Sequence, residues 1–302
     1  MGQGVAGFGR WRLPSDMFLK FPLPVPDIDE QRAISSYLDE QCTLIDNAIV
    51  EAKASIDEYK TWRLSVISEA VTKGVDANVT MKDSGIEWIG MIPTTSNIIR
   101  LRYLVNGYKA GPFGSSLITD KLLNEGTILV YTPEHIANQS VENEKNLYLP
   151  DDRMEEMAQF IVQEGDIIFP IVGSLGRAML IKQGMPTGII NQRLAKLRID
   201  EKVLDVVYFM WVFARGAFLT PYIDINCRGS FIVNLTKSIV YDMPLVVPNS
   251  IETQRRIAAY LTETCGVIDE LITEKQELIA GLEAYKRSLI FEVVTGKRKV
   301  VQ

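Results

Sequence analysis

The sequence predicts an α+β chain, one mixed globular domain set between two long helices that pack on each other as an antiparallel coiled coil. Three observations carry this expectation. A 42-residue segment occurs twice, both copies keep an apolar repeat of 3.5 residues, and the stretch between them breaks into short apolar runs separated by Gly, Pro, Asn and Ser. The chain has 302 residues and 33.9 kDa, more than one ordinary domain holds, and 47% hydrophobic with 23% charged residues argues against disorder.

The duplication sets the organisation. Gln31 to Thr72 lies on Gln254 to Thr295 at a constant shift of 223, with 17 identities in 42 positions. The matches include Gln31/Gln254, Tyr37/Tyr260, Cys42/Cys265 and Asp46/Asp269. Any two amphipathic helices match in residue class, but they do not hold Cys and Tyr in fixed register. A shift of 222 extends the repeat towards the N-terminus, through Gly7/Gly229, Leu13/Leu235, Pro22/Pro244 and Pro26/Pro248, with one residue inserted near Thr253.

Each copy reads as a proline-punctuated strand feeding a helix. The prolines of Lys20 to Pro26 hold that stretch extended. Asp27 with Glu30, and Asn249 with Glu252, have the spacing of a capping box. From Leu38 the stripe runs Cys42, Ile45, Ile49, Ala52, Ile56 and Tyr59, breaks at Arg63, and resumes at Val66 and Ala70. The second copy runs Leu261, Cys265, Ile268, Ile272, Lys275, Ile279, Leu282, Lys286, Leu289 and Val293, so two lysines interrupt its seam. About 45 residues at ~1.5 Å each make a rod of roughly 65 Å. Neither rod can cover its stripe alone. Cys42 and Cys265 then serve as small apolar seam residues.

Between the rods, strands are expected at Ile128–Tyr131, Asp166–Phe169, Ala178–Ile181, Gln192–Arg198 and Ser238–Tyr241. Helices are expected at Val203–Ala214, with Phe209 and Trp211 in the core, and over Asp151–Phe160. The resulting boundaries are 1–26, a tail related to the end of the globular domain; 27–75, the first long helix; 76–248, the globular domain; and 249–302, the second long helix.

Composition excludes several function classes. The 32 Lys and Arg against 38 Asp and Glu leave a net charge of −6, which disfavours bulk polycationic binding while permitting a local basic groove. One histidine, His135, and three scattered cysteines do not support a two-histidine mechanism, a zinc cluster or a disulfide framework. The longest apolar run, Val206 to Ala214, has nine residues, against about 20 for a membrane span. With no secretory signal or myristoylation pattern at the N-terminus, a cytoplasmic location is expected. Asp27, Glu51 and Lys53 carry the letters of a metal-dependent nuclease, but Glu51 falls 24 residues along a helix from Asp27, roughly 36 Å away. No phosphate-binding Gly-rich loop and no methyltransferase tetrad are present, so no catalytic residue is assigned and no metal site or cofactor is expected in this chain.

Asp83-Ser-Gly-Ile-Glu-Trp-Ile-Gly-Met-Ile-Pro93 resembles the opening signature of target-recognition domains in specificity (S) subunits of type I restriction-modification systems. That family usually continues Glu-His-Trp, where this sequence has Thr94-Thr95-Ser96. Gly111 to Leu117, Glu164 to Phe169, Gly173 to Arg177, Ile190 to Gln192, and the Pro-Leu-Pro-x-Pro…Glu-Gln-Arg lead into the first long helix, with its variant Pro-Leu-Val-Val-Pro…Glu-Thr-Gln-Arg before the second, resemble the same family. The family plan alternates recognition domains with spacer helices. Here residues 7–26 match residues 229–248, so the chain is expected to begin in the tail of a first recognition domain whose body is missing.

The resemblance implies a non-catalytic subunit that reads one half of a bipartite duplex-DNA target while the coiled coil fixes the gap between half-sites. It implies methyltransferase and restriction/translocase subunits as partners, the former docked on the spacer helices, with S-adenosylmethionine, ATP and magnesium residing in them. A homodimer would supply two recognition domains. The candidate DNA contacts are Lys109, Ser115, Ser116, Ser174, Arg177, Asn191, Gln192, Arg193, Arg228 and Ser230. Gly173 to Arg177 and Gly111 to Ser116 read equally as hairpin turns or as places where backbone approaches a phosphate. Asn191, Gln192 and Arg193 suit base edges, or form a solvated strand start. His135 reads as a satisfied loop histidine. Other readings are a silent cassette that donates its domain by recombination and a coiled-coil scaffold that does not bind DNA.

Overall fold

The computed structural model describes residues 15–20, 24–113, 122–142, 145–173, 176–214, 219–227 and 234–300. After one helical turn, α1 (Ser15–Phe18), Asp27 starts the long helix α2 (Ile28–Lys73). Its carboxylate accepts from the amides of Asp29 and Glu30 at 3.1 and 2.9 Å, which satisfies donors that a helix start leaves open. The extended strand expected over Lys20–Pro26 is not formed at residues 24–26, and residues 21–23 lie outside those described. The proposed equivalences of Gly7 and Leu13 fall outside them as well.

The globular elements follow in order: β1 (Met81–Asp83), β2 (Met91–Pro93), β3 (Ser96–Arg100), β4 (Val105–Ala110), β5 (Ile128–Tyr131) and α3 (Pro133–Asn138). Then come β6 (Tyr148–Leu149), β7 (Ile167–Pro170), β8 (Met179–Leu180), β9 (Gly188–Ile190), β10 (Leu194–Ile199), α4 (Val206–Ala214) and α5 (Thr220–Asn226). α6 (Lys237–Asp242), β11 (Pro244–Pro248) and the second long helix, α7 (Ile251–Val294), complete the chain.

Three expectations are corrected. Ser238–Tyr241 is helical within α6, because the Thr236 hydroxyl accepts from the Ile239 amide and the turn buries Val240. Asp151–Phe160 forms two short 3₁₀ turns, Asp151–Arg153 and Ala158–Phe160, in place of a helix. The cap of α7 is Ser250, whose hydroxyl faces the Thr253 amide at 3.5 Å. Asn249 instead accepts from the Asn97 side chain at 2.8 Å, holding the end of β11 against β3. The residue inserted between the two copies accounts for this one-step displacement.

Contacts gather the chain into two units, residues 1–59 with 270–302, and residues 60–269. In the first, Ile45 and Ile49 are buried with Leu289 and Val293, flanked by Leu38, Ile279 and Leu282. The Lys286 ammonium reaches both carboxylate oxygens of Asp46 at 2.7 Å, and the Arg298 guanidinium lies 6.0 Å from the Tyr37 ring centre. Rising numbers on α2 meet falling numbers on α7, so the helices pack as an antiparallel coiled coil. The hydrogen bond to Asp46 raises the Lys286 pKa.

The second unit holds the main core. There the Arg63 Nε lies 2.9 Å from Asp269, and Arg256 pairs with Asp76, again an antiparallel order. Leu261, Cys265 and Ile257 of α7 join Ile67, Ala70 and Val71 of α2 in a cluster that includes Phe209, Trp211 and Phe213 of α4. Gln254, fully buried, accepts from the Asp205 amide at 2.7 Å and donates to the Pro248 carbonyl at 2.9 Å. Its repeat equivalent, Gln31, donates to the Pro26 carbonyl at 2.8 Å, so the Gln of the shared Gln-Arg pair ties each helix start to the proline before it.

Two sheets frame the globular core: β4-β10-β7-β8, antiparallel throughout, and β6-β5-β9, in which β5 and β9 run parallel. β3 pairs with β11, and β1 with β2. The turn before β7 explains Glu164-Gly-Asp. Gly165 takes a left-handed φ of 86°, and Asp166, buried, accepts from the Gln163 amide, Lys196 and Arg198, each at 3.0 Å. Asp166→Ala would leave Lys196 without its acid partner, and is expected to cost about 3 kcal/mol in urea unfolding. Asp166→Asn, which keeps an acceptor for the Gln163 amide, is expected to cost less.

Candidate nucleic-acid interface

Four strands end at one rim. β4 and β7 flank β10 antiparallel, so their carboxyl ends meet the start of β10. β5 and β9 run parallel and end together at Tyr131 and Ile190. The segment Asn191–Arg193, joining β9 to β10, sits where these ends converge. Its backbone and that of Leu194 after it are held from three sides: the Asn191 amide donates to the Tyr131 carbonyl at 3.1 Å, the Arg193 carbonyl accepts from the Ile171 amide at 2.9 Å, and the Leu194 carbonyl accepts from the Gly111 amide at 2.8 Å. The Asn191 side chain accepts from the Arg193 amide at 2.9 Å, an Asx turn that leaves Gln192 and Arg193 exposed.

Glycine is required at two places on this rim. A Cβ on Gly111 would lie 1.9 Å from the Asn191 carbonyl oxygen, backbone against backbone. Gly173 has a φ of 88°, and its open side is 3.4 Å from the Arg193 guanidinium. Arg177 donates to the Ala137 carbonyl at the end of α3, at 3.3 Å, while the rest of its guanidinium is exposed. The structure thus brings Asn191, Gln192 and Arg193 to the strand ends, and sets Arg177 against the far end of α3.

Lys109 lies slightly apart, near the end of β4 and opposite Lys196 in register. It bonds the Gln159 side chain and sits 5.1 Å from the Phe160 ring centre. With Tyr108, Phe113, Phe160 and Lys237 it lines a cavity of about 490 Å³. Burial, with the nearby Tyr241 adding to it, pushes the Tyr108 hydroxyl up to about 12, so this wall stays neutral. Ser115, Ser116, Ser174, Arg228 and Ser230 lie outside the described residues.

Two rim residues escape a reading of the sequence. Lys237 stands 4.9 Å from the Tyr241 ring centre at the start of α6, a helix hidden in strand-like letters. Glu134 is exposed in the first turn of α3, directly after the β5 end that bonds Asn191. The Thr132 hydroxyl and the residue's own amide hold its carboxyl below the usual carboxylate range, with Arg193 adding to the effect. His135 behind it is buried, taking the Thr132 amide on Nδ1 at 2.9 Å and meeting Asn146 through Nε2 at 2.8 Å. Both ring nitrogens are engaged in holding α3, so His135 supports the rim from beneath.

The model of the type I restriction modification DNA specificity domain matches residues 113–280. A chain from a structure of the assembly and conformational transition of the type I R-M system shares the fold, with a TM-score of 0.69 and 16% identity over 90% of this chain and 60% of that one. The HsdS subunit from Thermoanaerobacter tengcongensis does so with a TM-score of 0.55 and 15% identity over 98% of this chain and 66% of its own. The chain therefore spans less than two thirds of the length of either structure. No curated protein matches it in sequence.

The close approach at Gly111 gives a test of the rim's construction. Gly111→Ala is expected to destabilise the protein by about 1–3 kcal/mol, because two backbones must part to admit the methyl group. Hydrogen exchange should show the loss at the Gly111 amide and in Asn191–Leu194 before the rest of the sheet.

Proposed function

Because the chain belongs to the type I restriction modification DNA specificity domain family, we propose that it is the non-catalytic subunit that gives a restriction-modification complex its DNA sequence preference. The observation that carries this reading is the convergence of Asn191, Gln192 and Arg193 where four strands end, against two glycines that keep the backbone open, with Arg177 on the end of the neighbouring α3. Arg and Asn or Gln side chains on a rigid rim match base edges in the major groove, where guanine offers two acceptors and adenine an acceptor and a donor. Lys109 and Lys237 beside them suit phosphates, which position the duplex without reading it. Ser115, Ser116, Ser174, Arg228 and Ser230 complete the proposed contact set.

In this reading the globular domain recognises one half of a bipartite target. α2 and α7, of 46 and 44 residues, serve as the spacer that sets the distance to the other half and as the dock for methyltransferase subunits. Restriction/translocase subunits join that complex. S-adenosylmethionine, ATP and magnesium act in those partners, and the work of this chain is binding and placement in the cytoplasm. No described helix is long and apolar enough to cross a membrane. Two copies of the chain would supply two half-site readers, hence a palindromic interrupted target.

Arg193→Ala and Arg177→Ala should each weaken DNA binding by the methyltransferase-bound chain while leaving its unfolding midpoint in place. Footprinting at several salt concentrations checks this: unchanged protection with both variants would reject the rim as the DNA face. Lys109→Ala should weaken binding to all sequences alike and lower the salt slope by about one. Sedimentation of the chain with its methyltransferase should show two copies per complex. A single copy would reject the paired arrangement.

A further inference from the structure

We propose that Glu134 determines target specificity with Arg193, the two side chains together reading a single G·C base pair. This inference rests on the DNA-specificity reading above and adds to it a residue and a base pair. Three features support it. The β5 end is bonded to Asn191, so the turn bearing Glu134 and the turn bearing Arg193 stand side by side on the rim. Both side chains are exposed there, Arg193 against the bare backbone of Gly173. His135, buried behind Glu134 and bonded through both ring nitrogens, fixes the first turn of α3 so that the carboxylate is presented from a rigid base.

A carboxylate at this place is costly for a surface that only tracks phosphates, since like charges repel. It is suited to the floor of the major groove, where the exocyclic amine of cytosine is a donor in need of an acceptor. The edge of a G·C pair shows two acceptors on guanine followed by that one donor on cytosine. Arg193 offers two donors and Glu134 one acceptor, the complementary series. A residue that merely oriented Arg193 would do so as an amide too, and this separates the two roles.

The test uses the full chain assembled with its methyltransferase, reading methylated adenines across a randomised plasmid library and measuring affinity for the preferred site. Glu134→Gln keeps the size and an acceptor but adds a donor, which suits adenine. It is expected to relax or change one G·C position of the target, with roughly five- to hundredfold loss on the original site and other positions intact. Glu134→Ala should lose discrimination at the same position. An unchanged target with both variants, or an equal loss on every sequence, would overturn the assignment. If the unaltered chain directs methylation to no defined sequence, the specificity reading fails first and this inference with it.

Discussion

An apolar stripe that returns every three and a half residues for most of a long helix must be covered, and everything else in this chain is arranged around that requirement. Within each unit α2 and α7 cover one another in antiparallel sense. The apolar seam supplies the stability, since each buried isoleucine or leucine contributes about 1.5–3 kcal/mol on removal from water. The charges at the seam breaks contribute direction instead: Asp46 faces Lys286 in one unit and Asp269 faces Arg63 in the other. Exposed pairs of this kind add little to stability but penalise a slipped register, which would face a cation with apolar side chains.

The rim solves a different problem. A surface that reads base edges needs side chains held rigidly and a backbone that leaves room, and both come from strand ends locked to a common segment. Asn191–Arg193 is tied through main-chain hydrogen bonds to the end of β5 and to Ile171 just past β7, and Leu194 after it to Gly111 just past β4, so the positions of Gln192 and Arg193 follow from the sheets and do not depend on a long loop. The glycines at 111 and 173 fit the same logic, one because a neighbouring backbone occupies the space, the other because of its left-handed φ and the nearby guanidinium.

What could be read in advance was whatever depends on local pattern. The seams from Leu38 and Leu261 were visible because their period is a property of each helix alone, and β5, β7, β8 and β10 because short runs rich in apolar residues between turn residues have few other uses. α6 was hidden since Ser-Ile-Val-Tyr favours a strand by composition, whereas the Thr236 cap and the burial of Val240 decide for a helix. The cap of α7 was misplaced by one residue because the insertion between the repeats falls at that point. Residues 111, 134, 173 and 193 form one rim only through strand pairings between distant segments, and no spacing rule links them. Glu134 in particular reads as an ordinary first-turn acid after Thr-Pro, and only its neighbour across the rim gives it another meaning.

The charge pattern on the long helices has one further consequence. Under the 223-residue repeat, Asp46 is the equivalent of Asp269, and Arg63 of Lys286. Each acid therefore meets the equivalent of a base carried on its own helix. Two copies of α2 laid antiparallel would place Asp46 opposite Arg63 twice over, and two copies of α7 would do the same with Asp269 and Lys286. The code is self-complementary, so these positions cannot tell a helix of the same polypeptide from one belonging to a sister molecule. Only covalent tethering, through the effective concentration it imposes, favours the internal partner.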